Sequence, residues 1–100
     1  MQNRLSIEEI QQRLQPILES NPIQRAILFG SYAKGTASEK SDVDILIDSG
    51  GALRGIDFFG VLDEVSEVLG FDVDLIEASQ LIIGGRMARE IEETGVLIYG

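Results

Sequence analysis

Residues 25–48 read RAILFGSYAKGTASEKSDVDILID, and this pattern sets the fold class. Arg25 to Phe29 is a short apolar run stopped by Gly30, the mark of a buried strand. Ser31 then suits the N-cap of a one-turn helix through Lys34, with Gly35 as its stop. Residues 36–41 are small and polar, hence a loop. Asp42 to Asp48 alternates as a second strand, with Val43, Ile45 and Ile47 on one face and Asp42, Asp44, Leu46 and Asp48 on the other.

N-terminal to this stretch, Ser6 with Glu9 three residues later forms a capping-box signature, and Ile7, Ile10, Leu14, Ile17 and Leu18 follow at helical spacing. Pro16 lacks an N–H and crowds the preceding turn, so a kink or a second short helix is expected there, ending near Asn21-Pro22. Ser49-Gly50-Gly51 reads as a turn. Ile56 to Leu69 carries Phe58, Leu62, Val65 and Leu69 on a core-facing stripe and is closed by Gly70. A third strand is expected at Phe71 to Ile76, a helix at Met87 to Glu93 and a last strand at Val96 to Tyr99, while Gln80 to Ile83 has no clear period. Strands separated by helices predict an α/β (α+β) domain over residues 1–100, a small mixed sheet of three or four strands with helices mainly on one side.

Composition narrows the chemistry. The chain has 100 residues and a net charge of -9, which argues against autonomous nucleic-acid binding, because a phosphate backbone is gripped chiefly by Lys and Arg. The absence of Cys and His excludes thiolate nucleophiles, Ser-His-Asp catalysis and His- or Cys-ligated zinc. There is no signal-peptide core and no apolar run long enough for a membrane span, so a soluble cytoplasmic protein without membrane contact is expected. Catalysis is left to carboxylates, hydroxyls, amines or a bound metal.

Asp42 and Asp44 are two apart in a strand, so both carboxylates leave one face with backbone positions about 6.6 Å apart. Such a pair suits Mg²⁺, which takes oxygen ligands and usually combines one or two carboxylates with substrate phosphate oxygens. Gly30 and Ser31, at the strand end, allow close approach of a phosphate and offer a hydroxyl and helix-terminal N–H groups to it. Gly35 is followed by Thr36-Ala37, so the segment is not a Walker A loop. Asp72 and Asp74, also two apart, are both open to a third acidic role. Lys34, Lys40, Arg54, Arg86 and Arg89 are cations that can help neutralise a triphosphate, with no single one marked out by spacing.

Gly30-Ser31, ten intervening residues and Asp42-Val43-Asp44 resemble the GSx10DxD signature of the DNA polymerase β-like nucleotidyltransferase superfamily. LFGSYAKGTASEKSDVDILI, Val73-Asp74-Leu75-Ile76 and the Ile98-Tyr99-Gly100 ending are similar to its minimal nucleotidyltransferases. Lys34 stands where many relatives carry Arg, which keeps the charge and loses the bidentate fork. The Ile83-Gly84-Gly85 segment is also richer in Gly than that region of the family. The resemblance implies that Gly30 and Ser31 bind nucleotide phosphates, that Asp42, Asp44 and Asp74 are catalytic and hold metal, and that two Mg²⁺ ions act on ATP. It further implies transfer of AMP to a hydroxyl, most naturally a tyrosine of a partner HEPN-type RNase toxin, by an MntA-like antitoxin. The alternative is a non-catalytic antitoxin that silences the same partner by occlusion.

Overall fold

The computed structural model describes residues 5–38 and 41–100. The chain order is α1 (Ile7–Ser20), β1 (Arg25–Phe29), α2 (Ser31–Lys34), β2 (Val43–Asp48), α3 (Ile56–Leu69), β3 (Val73–Glu77), a 3-10 turn (Ala78–Gln80), α4 (Arg86–Thr94) and β4 (Val96–Tyr99). The four strands form one mixed sheet in the order β3-β2-β1-β4, with β2 and β3 parallel and the other pairs antiparallel. The parallel pair is joined by the α3 crossover, as a parallel pair requires.

Alternation along β2 is borne out: Val43, Ile45 and Ile47 are buried with Ala26 and Leu28 of β1 in a core that includes Ile10, Leu14 and Leu18 of α1 and Val61, Val65 and Leu69 of α3. On α3 the buried stripe runs through Val61 rather than Leu62, with Phe58 packed at its margin. Capping at Ser6 is as expected, with the Glu9 N–H donating to Ser6 Oγ at 3.1 Å and the Ser6 N–H donating to Glu9 Oε1 at 2.9 Å.

Pro16 does not end α1; one helix runs through it. Ile10 and Leu14 before it and Ile17 and Leu18 after it are all buried, so apolar burial on both sides offsets the lost backbone hydrogen bond. A second correction concerns α2, whose N-cap is Gly30, with Ser31 as its first helical residue. Glu39 and Lys40, inside the expected loop, lie outside the described residues.

The 14-residue helices α1 and α3 cover one face of the sheet. The other face carries rows of residues in register across the strands: Phe29-Asp44-Asp74, then Ile27-Leu46-Ile76, then Arg25-Asp48. Helix α4 lies against this second face near β1, where a Cβ added to Gly95, just after the helix, would come 3.0 Å from Ile27 Cγ2. The glycines of the ambiguous segment explain the turn into α4: Gly84 sits at φ +76°, a region few L residues adopt, and Gly85 is the N-cap. Among the described residues no helix is long and apolar enough to cross a membrane.

Candidate active site

The second face of the sheet brings Asp44 and Asp74 together. They are direct neighbours on the parallel strands β2 and β3, and their side chains are close enough to hydrogen-bond to one another. Asp72 precedes β3, and its backbone carbonyl accepts the Val43 N–H at 2.9 Å. Of the two acids that spacing left open, Asp74 is therefore the one beside Asp44. Asp42 is exposed just ahead of β2 and shares a cleft with Asp63, Glu67 and Asp72. Its charge still reaches Asp44.

Burial and the charges of Asp74, Glu90 and Asp42 push the Asp44 carboxyl up to about 6. Each of these effects penalises the carboxylate form. Mutual repulsion between acids on one face is what a divalent cation relieves, and the donor set is all oxygen, which fits a hard cation such as Mg²⁺. Among the described residues, however, no three acidic side chains are drawn closely around a single point. The site presents a tight pair, Asp44 and Asp74, with Asp42 at its border.

Gly30 sits against Asp44. It holds φ +75°, and an added Cβ would fall 2.4 Å from Asp44 Oδ2, so both the backbone conformation and the space require glycine. The Gly30 N–H donates to Thr94 Oγ1 at 2.9 Å, and the Thr94 hydroxyl donates to the Glu90 carbonyl at 2.7 Å. The Gly30 amide is thus engaged in holding α4 to the strand end. Ser31 follows, partly exposed, at the first position of α2.

Thr94 and Glu90 are residues that sequence reasoning missed. Their place beside Gly30 and Asp44 comes from α4 folding back onto β1, a contact that no local spacing announces. Glu77 was missed as well. It is 1% exposed on the helix-covered face, where its carboxylate accepts the N–H and hydroxyl of Ser49 at 2.8 and 2.7 Å and the Ser79 N–H at 2.7 Å. The Ser79 hydroxyl donates to it too. Burial alone pushes Glu77 up, but these hydrogen bonds outweigh it and hold the group down at about 2.

The family described as "Polymerase beta, Nucleotidyltransferase" matches residues 12–100. Protein adenylyltransferase MntA of Thermococcus cleftensis is 34% identical over 84 residues, 80% of this chain and 85% of that protein. A chain from a crystal structure of a toxin–antitoxin complex with AMP-PNP superposes with a TM-score of 0.78 at 24% identity, covering 90% of this chain and 73% of that one. A chain from a structure of tri-AMPylated Shewanella oneidensis HEPN toxin with its MNT antitoxin gives a TM-score of 0.72 at 20% identity, covering 94% and 72%. At these identities the two structural likenesses speak to the fold.

Proposed function

The chain belongs to the polymerase β nucleotidyltransferase family, and from that membership we propose that it transfers AMP from ATP to a tyrosine hydroxyl of a HEPN-type toxin, acting as its antitoxin. The observation that carries this reading is the placement of Asp44 beside Asp74, with Gly30 against Asp44. Support for a protein acceptor comes from the adenylyltransferase relative and from the AMPylated HEPN toxin in the similar complex. A net charge of -9 favours that acceptor over nucleic acid.

In this mechanism Gly30 leaves room for the triphosphate beside the acids, and Ser31 adds its hydroxyl to the phosphate contacts. Asp42, Asp44 and Asp74 would hold Mg²⁺, two ions in the full site, which neutralises the phosphates and stabilises charge on the attacking and leaving oxygens. The acceptor oxygen bonds to the α-phosphorus as the bond from that phosphorus to the β-phosphate bridging oxygen breaks. The electron pair departs on pyrophosphate, and a carboxylate oxygen of Asp74 takes the hydroxyl proton.

The test is to incubate the protein with α-³²P-labelled ATP, Mg²⁺ and a co-purified HEPN partner, beside the Asp42→Asn, Asp44→Asn double variant. Label on the partner is expected with the intact acids, reduced by about 10³-fold in the variant, the scale of a lost electrostatic contact in the transition state. A stable complex that never gains label, and is silenced equally by the variant, would replace this reading with occlusion.

A further inference from the structure

Helix α3 has two sides, and the fold accounts for only one of them. Val61, Val65 and Leu69 are buried in the core, with Phe58 at its margin. Ile56, Phe59, Gly60, Asp63 and Glu67 recur at helical spacing on the outer side. There Ile56 is 88% and Phe59 64% exposed, although both are large and apolar. The Phe59 ring is held in place by an edge-on contact with Phe58, the centroids 5.8 Å apart. An aromatic ring presented outward from a packed base has the form of a binding anchor.

Two further features of this side work against the helix on its own. Gly60 stands in the helix interior without a positive φ, and nothing lies within 4 Å of the Cβ it lacks. Neither conformation nor crowding calls for glycine there, and glycine weakens a helix relative to alanine. Asp63 and Glu67, four apart, and Glu64 and Glu67, three apart, are like-charge neighbours towards the helix end whose dipole already repels anions. Asp57 adds a fourth acid, α3 carries no Lys or Arg, and among the described residues none of the four forms an ion pair. Arg54, just before the helix, is turned back, its Nε donating to the Gly51 carbonyl at 3.0 Å. Such local conflicts gather where a surface serves a partner.

We propose that this side of α3 docks a cationic amphipathic helix of a partner protein. Apolar residues of that helix cover Ile56 and Phe59, and its backbone crosses at Gly60, where the absent side chain allows an axis separation of about 8 Å. Its Lys or Arg residues pair with Asp63 and Glu67, the latter about 10 Å along the axis from Gly60. A second copy of the chain is the poorer occupant, because a two-fold contact through one face sets the same acids against each other. Nucleic acid and anionic membranes are repelled by those acids too. The acidic end shares its cleft with Asp42 and Asp72, so the docked helix ends at the border of the candidate active site. Docking needs no nucleotidyl transfer and stands or falls apart from that reading.

The experiment is fluorescence anisotropy with a labelled synthetic helix of about 18 residues, roughly five turns, with Leu along one side and Lys on the rest. A peptide of the same composition with its Leu residues scattered is the control. Wild type should bind the amphipathic helix about tenfold or more tightly than the control, the scale of one good anchor. Binding should fall about tenfold or more in the Ile56→Ser, Phe59→Ser double variant, and comparably in Asp63→Lys, Glu67→Lys. Gly60→Leu should bind as poorly while melting at a higher temperature than wild type, since nothing crowds the added side chain. A glycine required by the fold would instead lower the melting temperature on substitution. Equal affinity for the two peptides, or affinity that none of these variants moves, overturns the proposal and leaves only attraction by the net charge of -9. A wild type that binds neither peptide overturns it as well. A dimer in sedimentation that Phe59→Ser dissolves assigns the face to a second copy instead.

Discussion

Asp74 and Glu77 stand three residues apart on β3, on opposite faces of the sheet, and their surroundings treat a carboxylate in opposite ways. On the open face Asp74 is set beside another acid, Asp44, which is forced up to about 6 by its burial first and by the surrounding anions in addition, with no donors to offset either. On the covered face Glu77 is buried alone yet held at about 2 by donors from Ser49 and Ser79. Burial raises both carboxyls and by itself is therefore not what separates Asp44 from Glu77. The separation lies in what faces the charge: another anion leaves a deficit that a cation can fill, whereas a complete ring of donors leaves nothing to bind.

The largest effect on stability should come from emptying the covered side. Glu77→Ala leaves the Ser49 and Ser79 donors without their acceptor, and Ser49 Oγ also takes the Leu53 N–H at 3.1 Å, so the lead-in to α3 loosens with it. Urea unfolding should report a loss of about 3 kcal/mol, with Glu77→Gln losing less because it keeps the shape and one acceptor. A loss under about 0.5 kcal/mol would remove the architectural role.

A nearly equal effect of opposite sign should arise on the open side. Mg²⁺ with ATP at about 100 times the dissociation constant should stabilise the protein by about 2.7 kcal/mol in thermal melting. Asp44→Asn should lose that gain while melting no lower than wild type without ligand, since it removes a repelled charge. An Asp44→Asn protein that still gains the full increment would dissociate Asp44 from ligand binding.

The smallest effect, and the sharpest contrast, lies in pH. Glu77 is held down in the fold, so its contribution is present above the unfolded value near 4.3 and is lost as pH falls towards 2. Asp44 is held up, so the folded state binds the extra proton between about pH 4 and 6, and stability falls as pH rises through that window. Without metal, stability should therefore peak near pH 4 to 5. In denaturant titrations Asp44→Asn should flatten the upper limb and Glu77→Gln the lower one. A profile unmoved by either change would remove these carboxylates as the cause.

Local pattern read most of the fold. The bounds of β1, α3 and β4 follow from apolar spacing and terminal glycines, and the alternation of β2 assigns its two faces correctly. Local pattern was less decisive where distant contacts act. Of the two arrangements open at Pro16 the second helix is excluded, since the residues around it are buried in one continuous α1 that ends at Ser20 with Asn21 as its cap, and the cap of α2 falls one residue earlier than expected, at Gly30, where φ and the nearness of Asp44 require glycine.

Residue types and short spacing set the chemical vocabulary: no Cys or His, a DxD motif, a Gly-Ser strand end and an excess of acidic over basic residues. These are properties of residue type and short spacing, which survive without knowledge of the fold. It takes the folded chain to show that Asp74 rather than Asp72 joins Asp44, that Glu77 is buried on the opposite face, and that Lys34, Arg86 and Arg89 share a cavity. Strand register and the return of α4 set those juxtapositions, and both are fixed by burial of apolar surface between segments far apart in the chain.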